Sequence, residues 1–388
     1  MDTVSSKEKV NETRTEVFLT VATFCKKEEK IVRVNESDEI GKILCRYFYT
    51  KYEKNFILYG EDDCCLCEAY LDYAECIKNF EIRNDDIIVA SHPKSGTTWT
   101  QEMVWLIENN FDYVGAQVHL DERFPFLERC TLYNNEEATC KLKYMQYEYR
   151  SNSVNYIRNM KVPRFIKTHL PFSLLPYEIQ SGAKTPKIIY VIRDPKDVCV
   201  SYFYFRKLMN VTTASFDDFI KVFLAGKVIH GPFWKNVLSY WNKRFLPNIL
   251  FICYEDMKKD LLTVIKKVAK FLNKNLPEEK IPQLLNHLSF ESMKNNKWVN
   301  RKSIIEERIS LGLLDKEIPF VRSGTTGTHK EKMSHTQIEN FNKWIKKNVV
   351  GTSLEDHPLI SVSSTVYLRI GNIFFFEMLF KVLFKYSK

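Results

Sequence analysis

Four short apolar runs stand out along the chain: Ile87-Ile88-Val89-Ala90, Arg164-Phe165-Ile166, Ile188-Ile189-Tyr190-Val191-Ile192 and Ile249-Leu250-Phe251-Ile252-Cys253. The last two are continuous and rich in β-branched residues, as strands buried on both faces should be. Between the runs the apolar period lengthens to that of a helix. Trp99, Met103, Leu106 and Ile107 share one helical face, and Phe216 to Phe223 and Trp234 to Trp241 read as two more helices. Leu261, Leu262, Val264, Ile265, Val268, Phe271 and Leu272 make an amphipathic stripe after the fourth run. Strands alternating with helices predict an α/β fold, with a central parallel sheet flanked by helices on both faces. No repeat of 20 to 50 residues and no Pro/Gly/Ser-rich linker divides this core.

The ends of the chain read differently. Residues 1 to about 80 are polar and without period, apart from a Tyr-rich middle. Val17 to Cys25 is short for a signal-peptide core and runs straight into Lys26-Lys27-Glu28-Glu29-Lys30 with no small-residue cleavage site, which counts against a signal peptide. No stretch of 18 apolar residues exists to anchor the chain in a membrane. After Asp356-His357-Pro358 a hydrophobic tail, 359–388, is interrupted by Glu377 and Lys381 at i,i+4 spacing. A membrane-surface helix, a docked terminal helix and a misread gene end all stay open for it. Its narrow, weakly basic polar face counts against the first.

Composition narrows the function. With 45% hydrophobic and 27% charged residues the chain is an ordinary folded protein. A net charge of +9 favours anionic ligands. No basic stripe with interleaved aromatics, zinc finger or RNP pattern points to nucleic acid. Of the ten cysteines, Cys64 and Cys67 form a CxxC without a second pair or a nearby His, so reduced thiols in the cytoplasm are expected rather than a zinc site. There is no HExxH, EF-hand loop or carboxylate cluster for a metal.

The chemistry lies just after the strands. The first run ends in Pro93-Lys94-Ser95-Gly96-Thr97-Thr98, the second in Lys167-Thr168-His169-Leu170-Pro171, the third in Arg193-Asp194-Pro195 and the fourth in Tyr254-Glu255-Asp256. Open parallel sheets bind ligands outside the carboxyl ends of their strands, so all four segments face one crevice. Lys94, Lys167 and Arg193 converging there predict a polyanion. Gly96 permits close backbone approach, and Ser95, Thr97 and Thr98 add hydroxyls at a helix N-terminus, which together make a phosphate cradle. It is not a Walker A loop, because the Lys precedes the Gly. Asp194 and Pro195 suit the cap and first turn of the next helix, where Arg193 and Ser201 bracket a second anion or Arg193 pairs with Asp197. His169, beside the cradle, is the candidate general base.

This combination resembles the cytosolic sulfotransferases, which use PAPS (3′-phosphoadenosine 5′-phosphosulfate). The likeness is carried by Pro93 to Trp99, Glu122-Arg123-Phe124-Pro125-Phe126-Leu127-Glu128, Lys167 to Pro171, Arg193-Asp194-Pro195-Lys196-Asp197-Val198, Tyr254 to Met257 and Phe320-Val321-Arg322-Ser323-Gly324. The Arg-Phe-Pro-Phe-Leu-Glu string looks like the arthropod members. The resemblance implies a P-loop-like, nucleotide-kinase-like sulfotransferase fold over 78–352, with 1–77 a variable N-terminal region and 353–388 an atypical tail.

It also implies roles. Lys94, Ser95, Gly96, Thr97 and Thr98 would hold the phosphosulfate, and Trp99, Phe290 and Tyr254 the adenine. Arg193, Ser201, Arg322 and Gly324 would hold the 3′-phosphate, with Met293 and Ser323 completing the donor set. His169 would be the base, Lys94 and Lys167 would stabilise charge in transfer, and Ser201 would restrain Lys94. Phe126 and Phe205, with Lys167 and His169, would line the pocket of a small apolar phenol, steroid or other alcohol. No metal is implied.

The chain departs from the family pattern in four places. Arg322-Ser323-Gly324-Thr325-Thr326-Gly327-Thr328-His329-Lys330 replaces Arg-Lys-Gly-x-x-Gly-Asp-Trp-Lys, and its lost charge leaves open a weaker grip on PAPS. Leu288 stands where a Thr is common, and His92 where an aromatic precedes Pro-Lys. The dimer motif survives only as Lys330, Ser334, His335 and Glu339, which leaves a homodimer open. Two related readings remain beside transfer: a retinol-dehydratase-like lyase acting through a transient sulfate ester, and a non-catalytic PAPS-binding protein. A P-loop kinase is disfavoured by the loop order.

Overall fold

In the computed structural model, residues 29–360 are described, except 51, 52, 54, 133–141, 210 and 315–318. Seven strands among them form two sheets. β1 (Ile31–Arg33), β2 (Phe56–Tyr59) and β3 (Cys64–Cys67) make a small antiparallel sheet in that order. β4 (Ile87–Ala90), β5 (Phe165–Thr168), β6 (Lys187–Ile192) and β7 (Ile249–Cys253) make a parallel sheet in the order β5-β4-β6-β7.

The parallel sheet is the predicted one. Alternate side chains leave its two faces, and each face carries its own core. Ile88, Ala90, Ile188, Tyr190 and Ile192 join α3 (Pro195–Leu208), α4 (Phe216–Leu224) and α5 (Phe233–Trp241) on one side. Ile87, Val89, Phe165, Ile189 and Val191 join α2 (Thr97–Glu108) and α6 (Leu261–Leu272) on the other. Each fully buried aliphatic side chain here contributes about 1.5–3 kcal/mol relative to exposure. The molecule is thus three layers, helices–sheet–helices, with α7 (His335–Val349) packed through Phe341 and Ile345 into the α3–α5 side.

Two expectations need correction. β5 starts one residue later than the apolar run and continues through Lys167 and Thr168. Arg164 lies just before the strand, and it is buried as an ion pair rather than as an apolar residue: its guanidinium is bound to both oxygens of Asp86 at 2.7 and 2.6 Å. The N-terminal region is also not irregular from Ile31 on. Besides its sheet it contains helix α1 (Glu39–Tyr47), capped by Asp38. Its strands are only three or four residues long, and β3 is buried at every position, so neither shows a period of two. Leu44, Phe48, Phe56 and Leu66 belong to the same core as Ile88 and Tyr190, so that core extends across position 77. Residues 361–388, with Glu377 and Lys381, lie outside the described residues. Among the described residues no helix is long and apolar enough to cross a membrane.

Candidate active site

The carboxyl ends of β4, β5, β6 and β7 open on one cleft. Lys94, Gly96, Thr97, Thr98 and Trp99 follow β4 into it, and Lys167 and His169 enter from β5. Arg193, Ser201 and Phe205 come from the β6–α3 segment, and Tyr254 from the end of β7. Phe126, Phe290, Met293, Arg322, Ser323 and Gly324 complete the predicted set along its walls. Ser95 lies beneath the cradle with its Oγ buried and without a hydrogen-bond partner.

The cradle is held by backbone shape. Lys94 and Gly96 have φ of 72° and 111°. A Cβ on Gly96 would sit 2.8 Å from the Tyr254 ring, and one on Gly324 would sit 2.0 Å from the Phe290 ring. Trp99 and Tyr254 meet edge to face at 5.8 Å. The Trp99 indole N–H donates to the Leu288 carbonyl at 2.9 Å, so it is the Leu288 main chain that fixes this ring. His92 serves as an aromatic: its buried ring packs against Tyr202, Phe223 and Phe233, and burial lowers its pKa to about 3.

Cations crowd the middle of the cleft. Lys94 Nζ lies over the rings of Phe205 and Phe320 at 4.5 and 4.4 Å. Burial, then Arg301, Lys167, Arg193 and Arg322, press its pKa well below that of an ordinary lysine. Burial and Arg301 likewise lower Lys167 to about 7, although Asp121 and Glu128 oppose them. Arg193 stacks over Tyr254 at 4.1 Å and donates to the Thr325 carbonyl at 3.2 Å, while its Nε is buried without a partner. Mutually repelling buried cations, a backbone cradle and two orphaned donors fit a polyphosphorylated ligand.

The altered 322–330 segment has a clear anchor. Asp197 accepts from the Gly327 N–H at 2.7 Å, the His329 N–H at 3.0 Å and His329 Nδ1 at 2.8 Å, and also from Thr328 Oγ1. Burial alone would raise the Asp197 pKa, but His329 and Arg193 bring it to about 2. Thr328 and His329 thereby tie the segment to α3 beside Arg193. Arg193 approaches Asp197 only to 3.7 Å.

His169 is 6% exposed. Its Nδ1 donates to the Ser91 carbonyl at 2.7 Å, which leaves the Nε2 lone pair as the basic site. Burial, Lys167 and His230 hold its pKa well below the usual value, so the ring is neutral at pH 7. The Arg-Phe-Pro-Phe-Leu-Glu string positions it. Pro125 and Leu127 exchange main-chain hydrogen bonds with Lys167, each 2.8 Å. Glu128, fully buried, accepts from the His169 N–H at 2.6 Å and from Thr168 Oγ1 at 2.9 Å. Burial raises the Glu128 pKa to about 7.

His230 and the Asp121 carboxylate that bridges Arg150 and Arg301 also line the cleft, and no sequence motif marks them. Phe320 on the cleft wall and Glu128, buried beside His169, stand in the motifs quoted above but were given no role there. Glu128, in a string already singled out, could have been found as a carboxylate amid apolar neighbours. His230 follows no strand and carries no motif. Among the described residues no cluster of three or more His, Cys, Asp or Glu side chains is arranged to hold a metal.

Comparison with known proteins matches residues 84–353 to the sulfotransferase domain model. A luciferin sulfotransferase of Photinus pyralis is 49% identical over 344 residues, 88% of this chain and 93% of that one. Human sulfotransferase 1E1 is 32% identical over 312 residues, 79% of this chain and 96% of that one. A crystal structure of retinol dehydratase with androsterone and the inactive cofactor PAP superposes with a TM-score of 0.78 at 32% identity, covering 86% of this chain and 99% of that one.

Proposed function

This chain belongs to the sulfotransferase family, and from that premise we propose that it moves a sulfuryl group from PAPS to the hydroxyl of a small apolar phenol, steroid or other alcohol in the cytoplasm. The observation that carries the reading is the placement of a neutral His169, its Nε2 unprotonated, in one cleft with the Lys94–Thr98 cradle and Lys167.

The residues divide the work. The cradle and Arg193, Ser201, Arg322, Ser323 and Gly324 bind the two anionic ends of PAPS, with Trp99, Phe290, Met293 and Tyr254 around the adenine. His169 Nε2 takes the acceptor's hydroxyl proton as its oxygen attacks sulfur. The sulfur–oxygen bond to the phosphate breaks on the opposite side, and adenosine 3′,5′-bisphosphate leaves. Lys94 meets the charge on that leaving oxygen and Lys167 the charge on the sulfuryl oxygens. Phe126 and Phe205 flank the acceptor.

A sulfonation assay across phenols and steroids tests this. His169→Ala should lose about 10²–10⁴-fold in kcat while still binding adenosine 3′,5′-bisphosphate, and unchanged turnover would refute the base. The likeness to retinol dehydratase supports a second reading, in which the sulfate ester loses sulfate to give an alkene. Product analysis separates an alkene from an accumulating ester.

A further inference from the structure

His230 sits in the loop between α4 and α5, 2% exposed, on the same wall of the cleft as His169. The two imidazoles are 5.4 Å apart, and Phe126 packs against both at 5.1 and 5.9 Å. φ of His230 is 62°, a left-handed conformation uncommon outside glycine, although His adopts it more readily than most residues. Main-chain bonds to β3 fix that turn, with the His230 N–H donating to the Cys65 carbonyl and the Cys65 N–H to the Gly231 carbonyl, both 2.7 Å.

Packing alone does not account for an imidazole here. His230 Nε2 is buried and has no hydrogen-bond partner among the described residues. The nearest carboxylate oxygen, Glu128 Oε1, is 3.6 Å away and already accepts the His169 N–H. An apolar ring would fill the same space without an unmade bond.

We infer that His230 is a specificity-determining residue that holds a second polar group of the acceptor, next to the hydroxyl facing His169. This rests on the reading that His169 faces the acceptor. Burial, then His92, Lys167 and Arg206, hold the His230 ring in its neutral form, so it both donates and accepts. The partner is therefore a hydroxyl or amine. With the two rings so close, that group belongs on the carbon beside the reacting hydroxyl, which defines vicinally substituted phenols as the favoured acceptor class.

The test compares 2,3-dihydroxynaphthalene with 2-naphthol, using the full chain and PAPS. Within each enzyme the readout is the ratio of kcat/KM for the two acceptors, so a general loss of activity cancels. The wild type should prefer the diol by about tenfold, the worth of one net hydrogen bond. His230→Phe should reduce the ratio to about two, the statistical value for two equivalent hydroxyls. His230→Asn, which suits left-handed backbone but has a shorter reach, guards against a folding defect and should do the same. A wild-type ratio near two, or a preference retained in both variants, overturns the inference. Failure on both naphthols with transfer to a steroid or other alcohol likewise overturns the inference, whereas failure of the wild type to sulfonate any phenol, steroid or alcohol overturns the function on which it rests.

Discussion

Gly324 leaves room for a hydrogen and nothing larger. A Cβ there would drive into Phe290, whose ring is rigid, and φ of 60° already disfavours any other residue. Gly324→Ala should therefore raise the Kd for adenosine 3′,5′-bisphosphate by at least tenfold with little change in melting temperature, as calorimetry and thermal melts can check. Lys94 and Lys167 allow a prediction about protons. Both have lowered pKa values, Lys167 to about 7, because burial and neighbouring cations disfavour their charge. An arriving polyanion reverses that balance and raises both. Binding of adenosine 3′,5′-bisphosphate at pH 8 should take up protons, seen as a calorimetric enthalpy that varies with the buffer's ionisation enthalpy. Lys167→Met should diminish the effect, and a buffer-independent enthalpy would contradict it. Residues of this kind were legible in the sequence because each follows a strand. Lys94, Lys167, His169 and Arg193 could be placed at one crevice by the parallel-sheet rule alone. His230 could not, because its position depends on a main-chain bond to Cys65, 165 residues away.

The elements that hold the donor side meet at Asp197 on α3. Four hydrogen bonds from Gly327, Thr328 and His329 end on its carboxylate, so two of the departures from the family pattern, Thr328 and His329, make an anchor. Its folded pKa of about 2 lies below the ordinary 3.8. The resulting stabilisation, about 2 kcal/mol, is complete above pH 4 and fades as pH falls toward 2. Asp197→Asn should thus lower the melting temperature at pH 7, with the gap narrowing in acid, and should weaken adenosine 3′,5′-bisphosphate binding. A gap independent of pH would argue against the carboxylate. The strands and helices of the large sheet were readable because their patterns are clean: Leu261–Leu272 has an apolar stripe, and β6 is an unbroken apolar run after Lys187. The small sheet was not. In β3, Cys64-Cys65-Leu66-Cys67 offers no alternation, and beyond its pairing with β2 it is buried against segments distant in sequence.

The whole molecule carries a net charge of +9, and Lys94, Lys167, Arg193, Arg301 and Arg322 converge on the cleft. Affinity for adenosine 3′,5′-bisphosphate should accordingly fall as salt rises from 0.05 to 0.5 M, an experimental range over which surface attraction is progressively screened; a flat response would mean that the buried contacts carry all of the binding. The core on the α3–α5 face of the sheet reaches from α1 to α7, in keeping with the absence of a visible linker in the sequence. The bond between β3 and the His230 turn has a further consequence. On the proposed function, the donor end of the cleft would be built from segments after residue 92, whereas the acceptor wall would lean, through the His230 turn, on a sheet made before residue 68. The two ends can therefore diversify separately. Exchange of the early segment between relatives would re-tailor what the enzyme accepts, while what it spends stays the same.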